Sequence, residues 1–157
     1  MASSGHSGGI LIGTKRDMFD FVAFDHGIFW ASTVVSHRSP NMLWDVIVVY
    51  GPADHFLSYI WFHEIVNKIE SCDLPFLIGG EFNLMRSPLD KNSPNFSWPL
   101  ANAFIRDSAI REIPRVGARF TWNNRQSIPI WFVLDRVFFC PRWDTLFPRA
   151  ILRAQSI

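Results

Sequence analysis

Glu81 and Asn83 are an acid and an amide two residues apart, closing the stretch Pro75-Phe76-Leu77-Ile78-Gly79-Gly80-Glu81-Phe82-Asn83. Side chains alternate along extended chain, so the pair shares one face while Phe82 points inward. Held together, a carboxylate and an amide can grip a metal-bound phosphate and position a water. The same pair also occurs in plain surface turns. The four apolar residues before the glycines suit a short buried strand, because a helix needs more length. Gly79 and Gly80 then allow a sharp turn or a close backbone approach at the strand end.

The elements that must hold this pair follow from the apolar pattern. Gly9–Gly13 (GILIG) reads as a short buried strand, and residues 19–24 and 28–35 as a hairpin about Asp25-His26-Gly27. Leu43–Tyr50 (LWDVIVVY) is the strongest strand signal and ends at Gly51-Pro52. A helix over Asp54–Ser71 follows, with Asp54 as N-cap and Leu57, Trp61, Ile65 and Ile69 recurring every fourth residue, widened by Ile60 and Val66. Strand, helix and strand in this order predict a β-α-β unit. Beyond a loop over 85–96, Ser97 can cap a helix over Pro99–Ser108 that turns Leu100, Ala103 and Phe104 inward. Pro114–Arg119 is a basic turn. Residues 120–122 and 130–139 read as strands, 141–147 as one helical turn, and 150–154 as a last strand.

Length and composition set bounds. A chain of 157 residues fits one domain, and 48% apolar content with seven Trp and fifteen Phe excludes a disordered protein. Residues 1–7 read as a disordered head and residues 8–157 as the domain. Charge is uneven: residues 1–110 carry seven Lys/Arg against eleven Asp/Glu, while residues 111–157 carry eight Arg against three acids. The basic part admits an anionic partner or a solvated face. Cys72 and Cys140 have neither metal-ligand spacing nor a disulfide framework. No signal peptide precedes the domain and no apolar run approaches the ~20 residues of a membrane span, which predicts an intracellular protein without a membrane partner.

Four motifs then stand in order: Val49-Tyr50-Gly51-Pro52, Ile78-Gly79-Gly80-Glu81-Phe82-Asn83, Gly117-Ala118-Arg119-Phe120-Thr121-Trp122-Asn123-Asn124, and Leu134-Asp135-Arg136. From about Gly8 onward the chain resembles the endonuclease/exonuclease/phosphatase superfamily, specifically the endonuclease domain of plant LINE-type (non-LTR) retrotransposons. The resemblance implies an α+β fold, a four-layer sandwich of two mainly antiparallel β-sheets flanked by helices. It implies divalent-metal-dependent hydrolysis of DNA phosphodiesters with Mg²⁺ or Mn²⁺, and a nuclear location.

By the resemblance, the catalytic set is Tyr50, Glu81, Asn83 and Asp135. Tyr50 contacts the scissile phosphate and Glu81 orients the attacking water and binds metal. Asn83 holds a phosphate oxygen or the metal, and Asp135 steers a catalytic histidine. Arg119, Thr121, Trp122, Asn123, Asn124 and Arg136 fall on the side that approaches DNA. The departures are equally specific. The family's first strand with its asparagine, its metal-binding glutamate and its terminal Ser-Asp-His motif find no counterpart between Gly8 and Ile157. None of His6, His26, His37, His55 and His63 occupies the place of the catalytic histidine. Glu81 stands for the family's aspartate and Val133 for its basic residue before Leu-Asp. These departures predict an incomplete copy of weak or no activity, either monomeric or prone to aggregate through an exposed sheet edge. A non-catalytic domain binding nucleic acid or protein is the alternative, and a phosphatase of the same superfamily a further one.

Overall fold

The computed structural model describes residues 9–39, 41–93 and 99–154. Its centre is a six-stranded sheet in the order β1 (Phe19–His26), β2 (Trp30–His37), β3 (Met42–Tyr50), β4 (Phe76–Glu81), β9 (Asp135–Phe139) and β5 (Arg111–Glu112). The first three strands form an antiparallel meander. β4 lies parallel to β3, then β9 and the short β5 complete the sheet antiparallel. Two short ladders accompany it: β6 (Arg115–Val116) pairs with β10 (Leu152–Arg153), and β7 (Trp122–Asn123) with β8 (Trp131–Phe132). The architecture is α+β, and the large sheet is mainly antiparallel with one parallel pair.

That parallel pair is possible because α1 (Ser58–Glu70) carries the chain back across the sheet. Its inner stripe is Ser58, Trp61, Ile65 and Ile69, and Trp61 is wholly buried. The ring of Trp61 meets Phe82 edge-on at 5.8 Å and tilts against Phe104 of α2 (Pro99–Asp107) at 5.9 Å. Leu57 and Ile60 correct the expected stripe, being 40% and 52% exposed. The reason is local: residues 55–57 form a 3-10 turn and the helix begins at Ser58 without a side-chain cap. Asp54 caps the turn instead, its Oδ1 accepting the Phe56 N–H at 3.0 Å. On the sheet's other face α3 (Pro141–Leu146) brings Trp143 against Phe139 and Phe147, and Phe147 meets Trp44.

Three further expectations are corrected. Residues 9–13 form no strand. The run 130–139 is two strands, because Val133 and Leu134 leave the small ladder for the large sheet and donate their N–H groups to Asp90 O and Thr121 Oγ1. β6 lies in the stretch read as a basic turn, and β5 in residues 109–113, which were given no element. Ser97 and the tip of the 85–96 loop lie outside the described residues, as does the head over 1–7. The hairpin at Gly27 stands as expected; a Cβ there would lie 1.9 Å from Glu64 Oε1, which accepts the Ile28 N–H at 2.6 Å.

Gly80 is the glycine the site depends on. Its φ is +133°, and a Cβ would fall 2.2 Å from the Val49 carbonyl oxygen on the neighbouring strand. Gly80→Ala should therefore cost about 1–3 kcal/mol in urea unfolding, from backbone strain and forced separation of β3 from β4.

Candidate functional site

β3 and β4 end together and β9 starts beside them, so Tyr50, Glu81 and Asp135 stand in register across three adjacent strands. Neighbouring strands are about 4.8 Å apart, and directly opposed residues point to one face. Two carboxylates, Glu81 and Asp135, are thereby set opposite each other. Partial burial, and then the Asp135 charge, push the Glu81 carboxyl above its ordinary range, while a hydrogen bond from Asn83 pulls the other way. The balance is an acid held toward its protonated form by burial first and by a neighbour of like charge second.

The two loops that leave β3 and β4 are stitched together. Gly51 N–H donates to Glu81 O at 2.6 Å, and Asn83 Nδ2 donates to Gly51 O at 2.7 Å. Asn83 itself adopts φ +51°, a left-handed conformation that asparagine tolerates better than most residues. A Cβ on Gly51 would sit 2.2 Å from Phe82 O, so the approach requires glycine. One amide N–H of Asn83 is used by this stitch, and the Asn83 side chain also hydrogen-bonds Glu81.

Asp135 is held by its main chain. Thr121 Oγ1 accepts the N–H groups of Leu134 at 2.9 Å and Asp135 at 3.1 Å, and Arg115 Nη1 donates to Asp135 O at 3.2 Å. The threonine hydroxyl thus faces the protein and positions the turn into β9. Thr121→Val removes an acceptor shared by two N–H groups and should lower stability by about 1–3 kcal/mol in urea unfolding.

Arg136 is the clear correction among the residues assigned to DNA. It points to the helix-covered face, 5% exposed, with Nη2 on Asp90 Oδ2 at 2.5 Å and Nη1 on Glu112 Oε1 at 2.7 Å. Glu112 also pairs with Arg86. This arginine is part of the interior. Asn123 and Asn124 spend their side-chain oxygens closing their own loop, on Arg125 N at 2.9 Å and on Ile130 N at 3.0 Å. Trp122, 44% exposed and tilted against Phe132, and Arg119, over the Phe120 ring and bonded to Leu89 O at 3.3 Å, are presented outward.

Among the described residues no group of three or more His, Cys, Asp or Glu side chains gathers as a metal cluster. The fit to a hard cation rests on Glu81 and Asp135 with the Asn83 amide, an all-oxygen set; Mg²⁺ is commonly held by one or two carboxylates plus substrate phosphates. His26 lies three strands from Glu81 in the sheet order, about 14 Å at ordinary strand spacing, His37 at the opposite end of β2, and His63 on α1. Arg115, Asp90 and Glu112 were not singled out by the sequence. The basic turn hinted at Arg115, but nothing local marks Asp90 as the partner of an arginine 46 residues away.

No family model matches the chain, and no curated protein matches it. Solved structures do. The endonuclease domain of TRAS1, a telomere-specific non-LTR retrotransposon, superposes with a TM-score of 0.60 at 12% identity, over 81% of this chain and 57% of that one. An endonuclease/exonuclease/phosphatase family protein from Bacteroides thetaiotaomicron gives 0.54 at 13%, over 81% and 53%. D. rerio TDP2 complexed with a single-strand DNA product gives 0.50 at 10%, over 80% and 54%. The chain spans a little over half the length of these structures and shares their fold. No helix among the described residues is long and apolar enough to cross a membrane.

Proposed function

We propose that the chain carries the floor of a phosphodiester-hydrolysing site and acts on DNA as the remnant of a plant LINE-type target-nicking endonuclease. The observation that carries this reading is the opposition of Glu81 and Asp135 at the strand ends, beside Tyr50 and next to Asn83. Support comes from the four ordered motifs and from a fold shared with a retrotransposon endonuclease.

In this reading each residue has one task. Glu81, once ionised, accepts a proton from the attacking water and holds it in line with the leaving oxygen. The Tyr50 phenol and the Asn83 amide hydrogen-bond non-bridging phosphate oxygens without adding negative charge. Asp135 completes the oxygen set. Glu81 and Asp135, with the Asn83 amide, would hold a divalent cation such as Mg²⁺ or Mn²⁺, which would supply neutralisation of the developing charge. None of the histidines whose side chains are described lies beside Asp135, and slow turnover belongs to this proposal. Proton transfer by a positioned side chain typically contributes ~10²–10⁴ in rate.

Plasmid relaxation by the purified chain tests the proposal. Slow nicking should need Mg²⁺ or Mn²⁺, stop with EDTA and fall further in Asn83→Ala. Nicking that Asn83→Ala leaves unchanged would place the chemistry elsewhere, and complete inactivity at high enzyme concentration would leave the non-catalytic binding domain as the better reading.

A further inference from the structure

The basic turn next to the site brings Arg115, which lies outside the four motifs, beside Arg119, which belongs to one of them. Arg115 and Arg119 line a polar cleft of about 400 Å³ together with Glu112, Ile113, Pro114 and Gly117. Neither arginine is ion-paired to a carboxylate among the described residues. Their guanidinium groups bond only main-chain oxygens: Arg115 to Asp135 O at 3.2 Å and Arg119 O at 2.7 Å, Arg119 to Leu89 O at 3.3 Å. The one acid in the lining, Glu112, is already matched by Arg86 and Arg136. Carbonyl bonds fix each guanidinium without neutralising it, and one of the two held cations is bonded to the main chain of Asp135. The backbone here is itself constrained, since Gly117 has φ +96° and a Cβ would meet Ala154 O at 3.0 Å.

We infer that Arg115, with Arg119 beside it, is a phosphate clamp: it grips a backbone phosphate of the nucleic-acid strand flanking the one presented to Glu81 and Asp135, and so sets the register of the strand in the site. Planar guanidinium with several N–H donors suits a phosphate better than a point charge does, and here part of the fork is spent on orienting the group. The inference rests on the phosphodiester reading for its substrate, yet it concerns binding and is measured without turnover.

The experiment is fluorescence anisotropy of a short labelled duplex in EDTA, repeated over a range of KCl concentrations. Each phosphate neutralised contributes about 0.9 to the slope of log K against log salt on B-DNA. Arg115→Ala should reduce the slope by about that amount and weaken binding at low salt, with Arg119→Ala acting likewise. Arg115→Lys should keep the slope, because it keeps the charge. A walk of single neutral methylphosphonates along one strand should find a position that weakens the wild type and no longer matters in Arg115→Ala. An unchanged slope in Arg115→Ala, or an equal loss in Arg115→Lys, would overturn the clamp and leave a purely structural bond to Asp135 O. Nicking with an unchanged slope sinks only this inference; arginine-dependent binding without nicking sinks only the catalytic reading.

Discussion

Arg136→Met should cost about 3–5 kcal/mol in urea unfolding, because removing one partner of a buried ion pair strands the other. Asp90 is the group stranded. Its Oδ2 takes the Arg136 guanidinium at 2.5 Å and the N–H groups of Arg86 at 2.6 Å and Ser87 at 3.0 Å, so the carboxyl stays buried when the arginine goes. Glu112 keeps Arg86 and suffers less. Asp90→Asn in the Arg136→Met background should therefore recover part of the loss. Arg136→Lys should recover little, since one ammonium cannot span Asp90 and Glu112 in the geometry of the fork. Full stability in Arg136→Met would show that the network adds nothing net, an outcome known for buried pairs replaced by apolar groups. Because Arg136 follows Asp135 and faces Gly80 across the ladder, its loss should also loosen the site.

How much of this was legible in the sequence depends on the range of the interaction. Strands β3 and β4 and helix α1 were readable because period-two and period-four apolar patterns are local consequences of which face is buried. The hairpin about Gly27 was readable for the same reason. GILIG failed because apolar composition alone does not set a strand register, and in the structure no strand forms there. The break at Val133 and Leu134 was hidden because it is made by Asp90 O and Thr121 Oγ1, groups far along the chain.

The candidate site divides the same way. Glu81 and Asn83 were visible as a spaced pair, and the motif order brought in Tyr50 and Asp135. Their register across β3, β4 and β9 is a tertiary fact. Arg136 shows the hazard of reading a side chain from a motif: alternation along β9 turns it from the Asp135 face to the helix-covered one, where acids from two other segments wait. Thr121 likewise looked like a surface contact, and its hydroxyl is an internal acceptor for the turn it precedes.

Glu81→Gln should separate catalysis from stability, lowering one and raising the other. Nicking should fall by roughly 10²–10⁴, the usual worth of a positioned proton acceptor, and the loss should appear in rate at saturating DNA. Stability should move oppositely at neutral pH. Burial and the Asp135 charge raise the Glu81 carboxyl above the ordinary glutamate value of 4.5. Between that value and the raised one, the folded chain keeps a proton that the unfolded chain has released. Stability then falls as pH rises through the window, and the whole penalty is present above it. Glutamine carries no charge and escapes the penalty, so Tm of the variant should exceed wild type at pH 7, with the gap closing below about pH 4.5. The same carboxylate must be ionised to act, so wild-type nicking should rise with pH through the raised value. Mg²⁺ should lift the wild-type Tm by relieving the repulsion between Glu81 and Asp135, and lift the variant less. A variant that is less stable than wild type at pH 7 would mean that the Glu81 charge is compensated in the fold. A variant that nicks at the wild-type rate would remove Glu81 from the chemistry altogether.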